Sequence, residues 1–387
     1  MKKILILIPL LFCLTGCYNY RELNDLAIVS GISIDKNEDE YIVNAEVINP
    51  KKQQDASSGK EPEFVVYTSK GTSMQEAFRK IIKESPKKLY GAQMDVLIID
   101  EETAKKELKN ILDFFSRDPE IRSEFYVLVG KSTDVLEITT PLDKISSKNI
   151  LDSLESNNSY LGFSNLVTYH DLIDNYLNPN IELALPSVEV VGDDTNGDSI
   201  ENIESTSAEA ASIITNIAIF KDNKFVGYLT EEESQAYNMV MNSAKTTLMK
   251  TNYKDNEFII SEILNSSADI KIDIKKKKVT ISIKGKATIA EANYSGNLED
   301  AKEISKIQKD LNKTTEKFIK NSLKSTIQKY NSDIYGFRDM FYKQDPKAYK
   351  KLKNNWYKET FPNLEIEVKS DITIFEKGNL NGGLYHE

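Results

Sequence analysis

Histidine and cysteine are nearly absent from this sequence, with two of each in 387 residues. The histidines, His170 and His386, lie far apart, which rules out a histidine-built metal site and leaves a Ser-His-Asp system only His170 to draw on. His170 falls in VTYHDLIDNYL, where a histidine on a helix surface or in its first turn accounts for it. A GxSxG elbow, a glycine-rich phosphate loop and an HExxH pair are all missing. Positive charge is also short: 50 Lys and Arg stand against 60 Asp and Glu, a net charge of −10, which makes nucleic acid a poor partner. Two partial calcium patterns remain. Asp35, Asn37, Asp39 and Glu46 hold positions one, three, five and twelve of a calcium loop, but Glu40 stands where its sharp turn needs glycine, so an acidic hairpin turn is expected instead. Asp194, Asn196 and Asp198 give a weaker version of the same pattern. No catalytic residue, metal site or non-covalent cofactor is therefore expected.

Long apolar runs are missing too. Ile4 to Leu14 is apolar apart from Pro9 and follows the charged pair Lys2-Lys3, but it is far short of the ~20 residues a membrane-spanning helix needs. Charge, a short apolar stretch and small residues in that order are the layout of a secretory signal peptide. It closes on Leu14-Thr15-Gly16-Cys17, which resembles a bacterial lipobox. Thr15 and Gly16 are small enough for an extended backbone to enter a peptidase cleft, and the Cys17 thiolate is the nucleophile that would take a diacylglycerol. Cleavage would discard residues 1–16 with Cys13 and leave Cys17 as an S-diacylglycerol cysteine, its new amine the point for N-acylation (palmitate, for example). Disulfide, CxxC and thiolate-metal chemistry would then have no thiol left. Two acyl chains hold a membrane stably where one holds marginally.

Downstream, Leu26–Ile34 and Tyr41–Ile48 alternate with period two around a charged turn, a β-hairpin pattern, and 51–63 reads as an exposed loop. Strands at Phe64–Ser69, Met94–Ile99 and Phe125–Gly130 and helices at Ser73–Glu84 and Glu101–Phe115 complete an N-terminal α/β domain over 17–137. Apolar spacing at Ile150, Leu154, Leu172 and Ile173 predicts a small, mainly helical middle domain over 138–195, and the acidic stretch 196–208 reads as a linker. A C-terminal α/β domain over 209–387 follows, with short strands on either side of Lys221-Asp222-Asn223-Lys224. Its strand pair turns at Lys275-Lys276-Lys277-Lys278, a solvated tip with anionic lipid contact as the minority reading. A long amphipathic helix over 299–335 would end at Gly336, and Leu364–Phe375 reads as a closing strand. The fold class expected is α+β, mixed α/β: three domains of mixed β-sheets flanked by helices.

The lipobox followed by Arg21-Glu22-Leu23-Asn24-Asp25-Leu26-Ala27-Ile28-Val29-Ser30-Gly31-Ile32-Ser33-Ile34-Asp35 resembles the opening of the spore germination Ger(x)C family, the lipoprotein C subunits of germinant receptors. Asn331-Ser332-Asp333-Ile334-Tyr335-Gly336-Phe337, Trp356 and Phe361-Pro362 are similar to that family's last domain. Tyr18 stands where Trp is commoner after the cysteine, and Arg338 where Gly often follows the Gly-Phe pair. The resemblance implies a three-domain lipoprotein on the outer face of the spore inner membrane. It also implies partnership with two membrane-embedded subunits, A and B, and a need for the protein in nutrient-triggered germination. Cys17 is the one functional residue it carries over, and the role implied is non-enzymatic. A solute-binding lipoprotein of a transporter is the alternative from another class. That would require two similar lobes around a cleft, whereas this chain reads as three dissimilar segments.

Overall fold

The computed structural model describes residues 25–49, 62–132, 134–139, 144–192 and 197–376. The expected signal segment, Cys17, the residues Arg21 to Asn24, most of the expected 51–63 loop, Asp194, Asn196 and His386 lie outside them.

The first segment contains β1 (Leu26–Asn37), β2 (Glu40–Ile48), β3 (Phe64–Gly71), α1 (Met74–Lys80), β4 (Lys88–Tyr90), β5 (Val96–Asp100), α2 (Glu101–Lys106), α3 (Leu108–Arg117) and β6 (Tyr126–Gly130). Next come α4 (Ser146–Ser156), a π-helical turn at Asn157–Leu161, α5 (Tyr169–Leu177), β7 (Ala184–Leu185), β8 (Ser187–Gly192), α6 (Ile200–Glu204) and β9 (Ala210–Ile214). One mixed sheet orders seven of these strands β3-β2-β1-β5-β6-β8-β9, and β4 pairs with the start of β1. Strand β5 sits in its centre and reads as an unbroken apolar run. Val96, Leu97, Ile98 and Ile99 are all fully buried, as a parallel strand covered on both faces requires.

The sheet crosses the boundaries expected from composition. Strand β8 joins β6 in parallel and β9 closes the edge. Helix α4 packs on one face through Ile150 and Leu154, and α5 on the other through Tyr169 and Leu172. The expected middle domain is thus part of the first unit, because its apolar faces are buried against that sheet and not against each other. The acidic stretch is also anchored to the first unit: Asn202 is buried and its Nδ2 donates to the carbonyls of Thr139 and Ala210. The helix expected over Glu101–Phe115 breaks at Glu107, whose carboxylate accepts from Lys36 Nζ and the Tyr41 hydroxyl at 2.7 and 2.6 Å.

A three-stranded sheet of β7, β10 (Ala218–Lys221) and β11 (Lys224–Tyr228) makes the transition to the C-terminal part. Then follow the buried helix α7 (Glu231–Val240), β12 (Thr246–Asn252), the long hairpin β13 (Phe258–Asp273) and β14 (Lys278–Asn293), α8 (Ala301–Tyr330), α9 (Phe337–Gln344), α10 (Pro346–Leu352) and β15 (Glu365–Glu376). The second large sheet runs β12-β13-β14-β15. Helix α8, about 45 Å long at 1.5 Å per residue, covers it with Ile307, Leu311, Ile319, Leu323 and Ile327. Polar residues at the same helical spacing seal the sheet edge. Gln308 Oε1, Asn312 Oδ1 and Glu316 Oε1 accept from the backbone N–H groups of Ile374, Ile372 and Ser370 at 2.7 to 3.0 Å. The helix ends at Asn331, in the left-handed conformation at φ 48°, and not at Gly336, which instead precedes α9 at φ 68°. Asparagine is among the few residues other than glycine that adopt that conformation.

Candidate functional site

Most of the C-terminal signature residues converge on one buried junction between the two units. Asn331 stops α8, and the next turn places Asp333 so that its carboxylate accepts from the N–H of Phe337 at 3.0 Å and of Arg338 at 2.7 Å. Gly336 has no side chain to cap α9, and Asp333 does so from three residues upstream. Ser332 Oγ donates to the Phe220 carbonyl, and Lys221 Nζ to the Asn331 carbonyl at 2.6 Å, which ties the turn to β10.

The segment linking α5 to β7 meets this turn from the other side. Glu182 accepts from the Tyr357 hydroxyl at 2.6 Å and the Asp222 N–H at 2.8 Å, and its own N–H donates to the Asp333 carbonyl. Arg338 Nε donates to the Tyr349 hydroxyl at 2.7 Å and its Nη1 to the Pro179 carbonyl. Lys221 and Arg338 lie over the Tyr357 ring at 4.4 and 5.6 Å. Beneath this polar layer Tyr335 stacks on Phe337 and Trp356 packs against Phe341 and Phe361. Burial pushes Asp333 up to about 7, its two N–H donors opposing and the nearby Glu182 charge adding to the shift. Glu182 is raised for the same first reason. Asp333 has no exposed surface. Its chemistry is therefore confined to holding backbone together.

A second buried acid does similar work in the first unit. Glu46 on β2 reaches the start of α4, where Ile145 offers no capping side chain, and its Oε2 accepts the Ser147 N–H at 2.9 Å. Gly31 makes this approach feasible, since a Cβ there would lie 2.9 Å from Ser147 Cβ and 3.3 Å from Glu46 Oε2. Burial pushes Glu46 up to about 8, against the opposing Ser147 N–H. The unfolded chain releases this proton near its ordinary value and the folded chain near 8, so the contribution to stability is full below about pH 4.5 and is lost as pH rises. Asp333, pushed up to about 7, loses its proton in the same window, so the expected result is that Glu46→Gln reduces the fall in stability to denaturant between pH 5 and pH 8 by about 3 kcal/mol and leaves the remainder in place. Equal slopes for the two proteins would show that Glu46 is not one of the titrating groups.

The remaining candidates stay apart. His170 is exposed on α5, its Nε2 3.8 Å from Asp174. Asp35 accepts from Thr103 and the Lys36 N–H, while Glu46, at position twelve of the partial calcium pattern, points to α4. Among the described residues no group of three His, Cys, Asp or Glu could hold a metal ion. At the four-lysine tip, Lys278 is paired with Glu365 and Glu367. A cleft of about 900 Å³ opens between α1 and α3 over Phe78 and Phe114, whose rings are 4.8 Å apart. Neither Asp333, Glu182 nor Glu46 lines it. Sequence reasoning missed Glu182, which Ile181 and Leu183 flank, and gave Glu46 only a place in the calcium pattern; alternation sets Glu46 out of phase with the inward Tyr41, Val43, Ala45 and Val47, and it is α4 on the second face of the sheet that meets it.

Residues 19–190 match the family described as spore germination protein N-terminal domain, and residues 215–378 that described as spore germination B3/GerAC like, C-terminal. Spore germination protein KC of Bacillus subtilis (strain 168) is 30% identical over 390 residues, covering 97% of this chain and 95% of that one. Spore germination protein B3 of the same strain is 25% identical over 96% of each. The crystal structure of the GerBC protein shares the fold, with a TM-score of 0.52 and 19% identity over 89% of this chain and 97% of that one.

Proposed function

The chain belongs to the spore germination B3/GerAC-like family, and from that premise we propose that it is the lipid-anchored C subunit of a spore germinant receptor. It acts on the outer face of the spore inner membrane, in nutrient-triggered germination, through contacts with two membrane-embedded subunits. The observation that carries this reading is the end-to-end match to spore germination protein KC, in which both family domains lie in order with almost nothing of either chain left over.

Physical features support a role without catalysis. The acids with the largest upward shifts among the described residues are buried at helix starts, where they satisfy backbone N–H groups, and neither lines the cleft between α1 and α3. Glu182, bonded to Tyr357, Asp222 and Asp333, and Arg338, bonded to the Pro179 carbonyl, instead tie the two family domains together. Attachment through Cys17 fits a chain in which no helix among the described residues is long and apolar enough to cross a membrane. An affinity tag on this chain is expected to recover two polytopic membrane proteins from detergent-dissolved spore membranes.

A further inference from the structure

We propose that the stretch from Arg79 to Lys88, beside the first residues of β1, lies against the anionic headgroups of the bilayer. This rests on the reading of Cys17 as the lipid anchor, for its placement though not for its chemistry.

Leu26, the first residue of β1, is the register partner of Lys88 on β4. Adjacent strands lie about 4.8 Å apart, so the two chains begin side by side. Nine peptide steps separate Cys17 from Leu26, and a fully extended chain covers at most about 31 Å in that number. A compact body of this size is about 50 Å across. The end of the molecule that carries Leu26 and Lys88 is therefore the end held near the lipid.

The charge at that end runs against the rest of the molecule. The net charge of −10 repels an anionic surface, yet Arg79, Lys80, Lys83, Lys87 and Lys88 put five cations into ten residues, with Glu84 the one acid among them. Lys80 is paired with Glu76 and Lys88 with Glu120. Arg79, Lys83 and Lys87 form no ion pair among the described residues and face outward or nearly so. Between them Ile82, on a single 3-10 turn that follows α1, is 54% exposed. An apolar side chain flanked by cations suits the headgroup boundary, where the cations meet phosphate and the alkyl group enters the interface. The nearby acids Asp113, Asp118 and Glu120 lie on and after α3, and Asp113 is matched by Arg117 and Glu120 by Lys88.

The test uses residues 17–387 with Cys17→Ser, so that no acyl chain contributes, sedimented with vesicles of phosphatidylcholine alone or mixed with phosphatidylglycerol. Binding is expected to the mixed vesicles only, and to weaken as salt is raised. Arg79→Glu, Lys83→Glu and Lys87→Glu together should weaken it at least tenfold, while Lys275→Glu, Lys276→Glu and Lys277→Glu at the hairpin tip should leave it unchanged. Ile82→Trp, in a chain whose Trp356 is buried, should shift its emission to the blue on the mixed vesicles. Three results would overturn the proposal: equal binding by the Arg79 triple variant, loss confined to the tip variant, or no binding and no emission shift with phosphatidylglycerol. Fatty-acid labelling of the unmodified chain reads the anchor separately, so failure of the surface and failure of the tether are distinguishable.

Discussion

Cys17→Ala is expected to abolish fatty-acid labelling and to move the protein from the membrane fraction to the soluble fraction. Each buried methylene contributes about 0.8 kcal/mol, so two acyl chains on one cysteine would hold the protein stably at the bilayer. Without the thiol there is no atom to accept the diacylglycerol, since Cys13 lies in the segment that cleavage would discard. The basic stretch around Ile82 would retain only salt-sensitive binding. At about 1 M salt the screening length shrinks to about 3 Å, which strips surface charge contacts and leaves acyl anchoring intact. The informative comparison is therefore a high-salt wash of membranes carrying each protein: the unmodified chain stays and Cys17→Ala leaves. If the variant stays after the wash, the tether is not the main anchor.

The second large effect is expected inside the protein. Asp333→Ala should cost about 3–5 kcal/mol of stability, measured by denaturant unfolding, because it strips two buried N–H groups, Phe337 and Arg338, of their acceptor. Asp345→Ala is the matched comparison. Asp345 caps α10 by accepting the N–H groups of Lys347 and Ala348, but in an exposed position where water can replace it, so about 1 kcal/mol is expected there. Equal costs at the two positions would mean that the Asp333 junction is not the sealed link described above. The difference follows from burial alone, since the two carboxylates make the same kind of bond.

Elements whose signal is local were legible in the sequence. The β13–β14 hairpin and α8 follow from alternation and from apolar residues three and four apart, and the hairpin turn, β14 and α8 are present close to the expected residues, while β13 starts at Phe258, twelve residues before the expected Ile270. Non-local pairing was not legible. Strand β8 looked like the end of a helical domain because its partner β6 lies more than fifty residues earlier, and only that pairing assigns it to the first sheet. Glu107 illustrates a side-chain cause: a good helix former interrupts a helix because Lys36 and Tyr41, on another strand pair, draw its carboxylate away. Asp333 stood in a recognised motif, yet its role as a remote cap depends on Gly336 adopting a positive φ, and its link to Glu182 spans some 150 residues of chain. The reading of Cys17, by contrast, rests on an ordered local pattern that needs no fold, so the high-salt wash tests it and the fold does not.

The central claim, that this chain is one subunit of a membrane receptor complex, is tested most directly by recovering it from spore membranes under mild detergent and identifying what comes with it. The account predicts two membrane-embedded proteins in constant proportion to the chain, both lost when the anchor and the folded junction are removed together by Cys17→Ala and Asp333→Ala. Recovery of the chain alone, or with the permease and ATPase of a transporter, would contradict it.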